Sequence, residues 1–236
     1  MKLLFLDTET TGNDPKKDRL CQISYKTDDG IVTEYFKPPI PISIKSSSIT
    51  HITNKMVEGK PAFKESELFP ILQNLLKEQV LIAHNALFDI AMLEAEGLEV
   101  PQFICTLRLA RHLDVDGVIP EYGLQFLRYY LDLNVEGRAH DAEGDVLVLE
   151  ALFNRLFEKM KKENPELKDE EIIKQMIEIS NTPSLIKKFT FGKHKDRSLE
   201  DVAREDRGYL EWLHTQKTQN GEDDEDWMHT LRYYLK

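Results

Sequence analysis

The sequence has only two cysteines, Cys21 and Cys105, among 236 residues. Each lies in a short apolar stretch, LCQISY or FICTL. A disulfide-stapled scaffold or a zinc site would need more sulfur or imidazole ligands. The cysteine content therefore argues against both and favours two reduced, buried thiols.

Long hydrophobic runs are also missing. No stretch approaches the ~18 apolar residues of a membrane span. The chain passes from Met1-Lys2 directly into LLFLD, which is too short for the core of a signal peptide. We therefore expect a cytoplasmic protein without a membrane partner.

Positive charge is scarce as well, since 42 acidic residues face 31 basic ones and the net charge is -11. This balance argues against coating nucleic acid or anionic membrane by bulk electrostatics. A phosphate-containing substrate must be bound locally, either by a basic patch or by metal ions held on carboxylates.

Repeats and low-complexity tracts are absent, whereas 41% of the residues are hydrophobic and 31% are charged. A chain of this composition can bury a core. Its length suits one large domain, or an ordinary domain plus a small one.

The order of apolar patterns predicts a mixed α/β fold. An antiparallel start comes first, with a turn at Asp29-Gly30, and alternating strands and helices follow a proline-rich loop at 38–53. The predicted strands are 2–7, 20–27, 31–37, 80–83 and 103–107, and the predicted helices are 63–77, 86–96 and 124–131.

A long amphipathic pattern over 141–162 predicts a further helix with Asp141 as its N-cap. The polar stretch after it carries Pro165, so we place a domain boundary there, between units 1–163 and 164–236. The second unit has patterns for a helix at 170–179, a basic strand-like run at 185–195, a helix at 199–213, an acidic solvated loop at 222–226 and a final helical turn.

Four carboxylates lie in segments that the predicted sheet brings to one end. Asp7 and Glu9 follow the first strand and point to the same face, because alternate residues of a strand do so. Asp89 in AHNALFD and Asp145 in HDAEGD each lie near the start of a helix. Gathered carboxylates repel each other unless cations neutralise them, and Mg²⁺ or Mn²⁺ prefers oxygen ligands. The pattern predicts a two-metal site able to cleave a phosphodiester by in-line displacement.

His140 directly precedes this last helix. An unperturbed imidazole pKa near 6.5 suits a base that takes a proton from water at neutral pH. The residue alone also fits a surface or capping histidine.

The three segments DTETTG (7–12), HNALFD (84–89) and HDAEGD (140–145) resemble the exonuclease motifs of the DEDD superfamily, histidine subtype. The resemblance implies that Asp7, Glu9, Asp89 and Asp145 hold two Mg²⁺, with Mn²⁺ as a substitute, and that His140 is the general base. It also implies a ribonuclease H-like exonuclease fold, with a central mixed five-stranded sheet flanked by helices and a small C-terminal α+β region.

Further stretches resemble exodeoxyribonuclease X-like proteins, namely THITNKMVEGKP (50–61), FICTLRLARHL (103–113) and the tail at 183–213. This implies a 3′–5′ exonuclease acting on DNA with a free 3′ end, preferably single-stranded, and a DNA polymerase or repair protein as a partner. Two alternatives stay open: an RNA-trimming relative such as ribonuclease T or oligoribonuclease, and a non-catalytic nucleic-acid-binding or polymerase-associated module.

The resemblance also implies nucleotide contacts by the backbone of Thr10, Thr11 and Gly12 and by His51. Without it, the first three form an ordinary turn and His51 fixes a loop. Asn85 is expected to cap a helix.

The tail contains the most basic short stretch of the chain: Lys187, Lys188, Lys193, Lys195 and Arg197. This stretch predicts a phosphate-binding patch, and lysines that protect an edge strand are the alternative. Asp196 stands where the family usually has glycine. The spacing of Tyr209 and Trp212 favours core packing over stacking on bases.

Overall fold

The computed structural model describes residues 1–135, 142–220 and 224–236. A five-stranded mixed sheet in the order β3-β2-β1-β4-β5 forms the centre of the fold. Its strands are β1 (Leu3–Thr10), β2 (Leu20–Thr27), β3 (Gly30–Tyr35), β4 (Val80–Ala83) and β5 (Phe103–Cys105). The first three strands pair antiparallel, and β4 and β5 continue the sheet in parallel. The predicted mixed α/β fold is therefore confirmed.

Alternation along β1 determines which helices cover each face of the sheet. Leu4 and Leu6 are buried in one hydrophobic cluster, whereas Phe5 is buried in another on the opposite face. All four residues of β4 are buried because helices cover both of its faces.

The face of Leu4 and Leu6 is covered by α3 and α4. The helices from β3 to β5 are α1 (Ile44–Thr50), α2 (Asn54–Val57), α3 (Leu68–Glu78) and α4 (Ala86–Ala95). Pro70 lies in the first turn of α3, where a missing N–H costs no helical hydrogen bond.

The face of Phe5 is covered by a second group of helices, with α7 at its centre. This group comprises α5 (Thr106–Leu113), α6 (Leu124–Tyr130), α7 (Ala142–Glu163) and α8 (Asp169–Ser180). The edge-to-face contact of Phe5 with Phe153, at 5.5 Å between ring centroids, fixes α7 over β1. The predicted cap Asp141 lies outside the described residues.

The C-terminal part has a hydrophobic cluster of its own, centred on Phe189, Leu210 and Leu231. Its helices are α9 (Leu199–Glu205), α10 (Arg207–Asn220) and α11 (Glu225–Tyr234), and a 3₁₀ turn covers Gly192–His194. None of the helices in the described ranges combines the length and apolar character that a membrane span requires.

Several predicted elements differ from the structure. The expected loop at 38–53 contains α1, whose N-cap Ser43 accepts a hydrogen bond from the Ser46 N–H. The strand predicted to reach residue 107 ends at Cys105, where α5 begins. The run at 185–195 forms only an isolated bridge between Lys188 and Ser198, not a strand.

Three further differences concern the C-terminal part. The helix predicted at 199–213 is two helices, α9 and α10, which Asp206 separates. Asp226 is not in a solvated loop, because it lies in α11 and is buried. The helix predicted in the second unit, α8, packs against α5, α7 and β5. The boundary at 163/164 stays a prediction.

Candidate active site

Three carboxylates converge where β1 meets the start of α7. Asp7 and Glu9 lie on the same face of β1 as Phe5, and Asp145 lies in the first turn of α7. One ligand oxygen from each lies within 4.8 Å of the other two. Among the described residues, this group is the candidate metal centre.

Asp89 approaches β1 from the opposite face. Its carboxylate, on the first turn of α4, accepts a 2.7 Å hydrogen bond from the buried Thr8 hydroxyl. Thr8 follows Asp7 on the strand and therefore points to the α4 side of the sheet. Asp89 thus lies outside the group of three oxygens, although its charge acts on Asp7 and Glu9.

Burial and mutual repulsion raise the pKa values of these acids. The pKa of Asp7 is well above its usual range, first because of burial and then because of the charges of Asp89, Glu9 and Asp145. Burial, followed by repulsion from Asp145 and Asp89, raises the pKa of Glu9 to about 7. Burial also raises the pKa of Asp89 to about 7, against the lowering effect of the Thr8 hydrogen bond. Such a site is suited to binding a cation, because neutralising charge relieves the repulsion.

Two contacts place α7 and Asp145. The side-chain amide of Gln125, on α6, donates to Asp145 Oδ1. Lys26 Nζ donates to Glu150 Oε1 and so joins β2 to α7. No local pattern in the sequence marks Gln125 or Thr8, because their roles depend on which elements pack together.

His84, the first residue of the second motif, connects β4 to the α5 side of the site. Its Nε2 lies 2.8 Å from the Tyr122 carbonyl oxygen, and its Nδ1 lies 2.9 Å from Thr106 Oγ1. A carbonyl can only accept, so Nε2 carries the proton and Nδ1 accepts from the threonine. Burial lowers the pKa of His84 to about 4, which keeps the ring neutral.

Asn85 does not make the expected side-chain cap. Its backbone is left-handed, with φ 61°, and its exposed side chain makes no capping hydrogen bond to α4. Asparagine tolerates this conformation better than most residues, which explains its presence at this sharp entry into a helix.

The residues after Glu9 form a tightly bonded turn. The Thr10 hydroxyl donates to the Gly12 carbonyl, and the Thr11 hydroxyl donates to Asp18 Oδ1 at 2.8 Å. A Cβ at Gly12 would lie 2.4 Å from Asp18 Oδ2, so a side chain there would displace the Asp18 carboxylate from its hydrogen bonds with the Thr11 hydroxyl and the Asp14 N–H. Both hydroxyls are used within the turn, and nucleotide contacts by these residues stay a prediction.

His51 is the C-cap of α1. Its backbone is left-handed, with φ 59°, and its N–H donates to the Ser47 carbonyl. The side chain is exposed. Ser43, before α1, donates its backbone N–H to the Thr11 carbonyl at 3.4 Å, which brings α1 to the end of β1. The role of His51 towards a nucleotide stays a prediction.

The predicted catalytic residue His140 lies outside the described residues.

The five cations of the basic stretch have different partners. Lys187 Nζ donates to the carbonyls of Asp114 and Val115. Lys193 pairs with Asp206 at 2.7 Å, and Arg197 pairs with Glu205. In the described part of the chain, Lys188 and Lys195 have no carboxylate partner.

One residue within this stretch, Asp196, has an unusual backbone conformation. Asp196 adopts φ 68°, the left-handed conformation in which glycine is least strained. The glycine that the resemblance leads us to expect at this position would adopt this conformation with less strain than Asp196.

The profile of the exonuclease family matches residues 4–153, and a profile described as exodeoxyribonuclease X-like C-terminal matches residues 189–216. Exodeoxyribonuclease 10 of Escherichia coli strain K12 is 32% identical over 219 residues, which cover 89% of this chain and 90% of that protein. DNA polymerase III PolC-type of Thermotoga petrophila is 36% identical over 174 residues, which cover 66% of this chain. The matched region spans only 12% of that polymerase.

Among solved structures, exonuclease X in complex with 5′ overhanging duplex DNA has a TM-score of 0.59 and 26% identity. The similarity covers 76% of this chain and 99% of that chain. The chain therefore belongs to the DEDD exonuclease family, in which its two matched regions place it among the exodeoxyribonuclease X-like 3′–5′ exonucleases.

Proposed function

We propose that this protein is a metal-dependent 3′–5′ exodeoxyribonuclease that releases nucleoside 5′-monophosphates from DNA, preferably from single strands. The observation that carries the proposal is the convergence of Asp7, Glu9 and Asp145 within 4.8 Å. Three oxygen donors this close, with Asp89 nearby, are what a phosphodiesterase using divalent ions needs.

The donor set fits hard divalent cations. All three groups offer carboxylate oxygen, and burial together with like-charge repulsion raises the pKa values of Asp7 and Glu9. We propose two Mg²⁺ ions, with Mn²⁺ as a substitute, held by Asp7, Glu9, Asp89 and Asp145. When bound, these ions supply a more acidic water and charge stabilisation for a phosphodiester under attack.

The chain's own residues orient these ligands and move the proton. Gln125 fixes Asp145, and Thr8 fixes Asp89. In this proposal His140 takes a proton from water as the water oxygen attacks phosphorus. The bond from phosphorus to the 3′ oxygen of the preceding nucleotide then breaks, which leaves a shorter strand and a 5′-monophosphate.

The preference for DNA rests on the tail and on the relatives. The 189–216 region matches the exodeoxyribonuclease X-like C-terminal profile, and a relative covering most of this chain is an exodeoxyribonuclease. In the proposal, Thr10, Thr11, Gly12 and His51 line the site of the terminal nucleotide. Lys188 and Lys195 are the cations of the basic stretch best able to bind phosphates, because the other three have protein partners.

The proposal also includes a protein partner. The similarity to a polymerase III PolC-type protein supports a DNA polymerase or repair protein as a partner of this chain. A cytoplasmic location stays a prediction of the sequence analysis.

A degradation time course tests the activity. Single-stranded DNA, duplex DNA and RNA of one sequence, each labelled at the 5′ end, are incubated with the protein in Mg²⁺ or in chelator. We expect a ladder that shortens from the 3′ end only in Mg²⁺ and fastest on single-stranded DNA. A circular single strand should stay intact, because it has no 3′ end.

Two outcomes would replace the proposal. Faster degradation of RNA would assign the chain to the RNA-trimming type. Binding of strands without cleavage in Mg²⁺ or Mn²⁺ would make it a non-catalytic nucleic-acid-binding module.

The base is tested separately by His140→Ala, which should lower turnover by about 10²–10⁴-fold, the usual contribution of a general base. Binding of a 3′ end should persist. His229→Ala, at an exposed position of α11, is the control and should keep full turnover. Equal turnover of His140→Ala and wild type, with chemistry rate-limiting, would return His140 to a capping role.

A further inference from the structure

A row of aromatic rings crosses the C-terminal part of the chain. Trp212 contacts Tyr209 at 5.4 Å between centroids, Tyr209 contacts Phe189 at 5.7 Å, and Phe189 contacts Phe191 at 6.2 Å. Phe189 is buried, whereas Trp212 at one end is 53% exposed and Phe191 at the other end is 40% exposed. The expected core packing of Trp212 is therefore wrong, although half-buried Tyr209 does contact the core.

The contacts around Tyr209 hold the row in place. Gly192 adopts φ 71°, and a Cβ there would lie 2.6 Å from the Tyr209 hydroxyl oxygen. Lys193 Nζ lies 5.0 Å from the Tyr209 ring centroid and pairs with Asp206. Trp212 thus rests on a ring that is fixed from two sides, and a pre-positioned ring loses little conformational entropy when a ligand stacks on it.

The charge around the row differs from that of the whole chain. From position 183 to 236 the sequence has ten Lys and Arg residues against eleven Asp and Glu residues, so this part is close to neutral in a chain of net charge -11. Within the described residues, Lys188 and Lys195 of this region have no carboxylate partner. A part of the chain that carries both exposed rings and cations without a carboxylate partner suits a ligand that is both flat and anionic.

Single-stranded nucleic acid has this chemistry. Every base offers a π face, and each phosphate carries a negative charge. An apolar protein surface fits less well, because Glu211 directly precedes Trp212 in the sequence and Lys193 Nζ lies 5.0 Å from the Tyr209 ring centroid.

We infer that Trp212 and Phe191 form a base-stacking surface for the part of a single strand that lies 5′ of the nucleotide being cleaved. The inference rests on the proposed exonuclease function and adds a second binding site on the same strand. The carboxylate site holds the 3′ end, and the rings hold unpaired bases further along.

Binding without cleavage isolates this surface. Oligothymidylates of about 16 nucleotides, the upper size of a typical single-strand site, and of three nucleotides are labelled and titrated in chelator. Trp212→Ala should weaken binding of the long strand by about 5- to 150-fold, since stacking is worth about 1–3 kcal/mol per base. Binding of the trinucleotide should be unchanged.

Two variants serve as controls. Tyr233→Ala removes an aromatic ring that is 51% exposed but lies outside the row, and it should bind both strands like wild type. Trp212→Phe should restore most of the long-strand affinity, whereas Trp212→Leu should not, because leucine is apolar but cannot stack.

Tryptophan fluorescence gives a reading that does not depend on a variant's stability. The exposed Trp212 should be quenched by the long oligothymidylate, whereas Trp227 is buried. Trp212→Phe should therefore abolish the quenching.

Unchanged long-strand affinity in Trp212→Ala, or equal losses in Trp212→Ala and Tyr233→Ala, would overturn the inference. Recovery by Trp212→Leu would also overturn it, because it would show that apolar contact, and not ring stacking, binds the strand. Failure of the proposed function is distinguishable, because it would appear as absent cleavage of every strand in Mg²⁺ whatever the binding results.

Discussion

The acids of the candidate site repel each other in the folded chain, because Asp7, Glu9 and Asp145 place oxygens within 4.8 Å of one another. Removing one charge by Asp7→Asn should leave stability in chelator unchanged or raise it by on the order of 1 kcal/mol, the value of about one pKa unit. The same change should abolish Mg²⁺-dependent cleavage. Urea unfolding and the degradation assay measure the two effects.

Asp29→Asn is the matched control, since it removes a carboxylate from an exposed turn. Asp29→Asn should change neither the free energy of unfolding in chelator nor the Mg²⁺-dependent cleavage. Added Mg²⁺ should stabilise wild type more than Asp7→Asn, because an ion that binds the folded state shifts the unfolding equilibrium. Cleavage by a folded Asp7→Asn protein would show that Asp7 is not a required metal ligand.

Asp196 offers a test of backbone strain at a single position. The left-handed conformation costs a residue with a Cβ about 1–2 kcal/mol, and glycine loses about 0.5–1 kcal/mol more entropy on folding. Asp196→Gly should therefore stabilise the chain by about 0.5–1 kcal/mol. Asp196→Ala keeps the Cβ and should not stabilise it. Equal effects of the two variants in thermal unfolding would exclude conformational strain as the cause.

At the scale of elements, His84 joins β4, α5 and the segment before α6 through Thr106 and Tyr122. Its folded pKa is about 4 and its ordinary value is 6.5, so the unfolded chain takes up the proton first as the pH falls. The stability from the neutral ring is present above pH 6.5 and is lost between pH 6.5 and about 4.

We expect the contribution of the neutral His84 ring to appear when the unfolding free energies of wild type and His84→Gln are compared between pH 6.5 and about 4. Glutamine keeps one donor and one acceptor but does not titrate, so the difference between the two proteins should shrink as the pH falls. His229→Gln, at an exposed position, should follow wild type. A constant difference between wild type and His84→Gln would show that His84 is not kept neutral by its surroundings.

The elements that the sequence predicts well are those whose hydrophobic period is unambiguous. The buried run of β4 and the amphipathic pattern of α7 are examples. By contrast, α1 consists largely of polar residues after three prolines, and only its capping serine marks it. The start of α5 directly continues an apolar strand, so periodicity alone cannot divide the two.

The same limit applies to the candidate site. Asp7, Glu9, Asp89 and Asp145 are recognisable from motifs. Their supporting contacts depend on tertiary packing: Thr8 reaches Asp89 only because α4 covers that face of β1.

At the scale of the whole molecule, a buried arginine joins the exonuclease part to the C-terminal part. Arg108 is 2% exposed, donates to the Ser180 carbonyl, and pairs with Asp226 and Glu225 of α11. Asp226 also pairs with Arg111. Removal of the region after Ser180 would therefore take away both carboxylate partners of Arg108 and the C-terminal residues that contact it, so we expect the truncated chain to be destabilised.

The two carboxylates that pair with Arg108 differ in burial, so their contributions to stability can be compared. Asp226→Asn leaves buried Arg108 and partly exposed Arg111 without that charge, while Arg108 keeps Glu225, and should cost up to about 3–5 kcal/mol. Glu225→Gln, whose side chain is 58% exposed, should cost less than about 1 kcal/mol. Urea unfolding measures both values. Similar small losses would mean that Arg108 is solvated when its partner is absent.

Arg108 and Asp226 are 118 positions apart in the sequence, so they are synthesised at different times. Ribosomes add about 5–20 residues per second, so roughly 6–24 seconds pass between the synthesis of the arginine and that of its partner. All five strands and the carboxylates Asp7, Glu9, Asp89 and Asp145 are synthesised before Asp226. Until Asp226 follows, Arg108 on α5 lacks this carboxylate partner. During synthesis the contact between the two parts of the chain therefore cannot close until Asp226 has emerged, whereas the residues of the sheet and of its acidic end are available earlier.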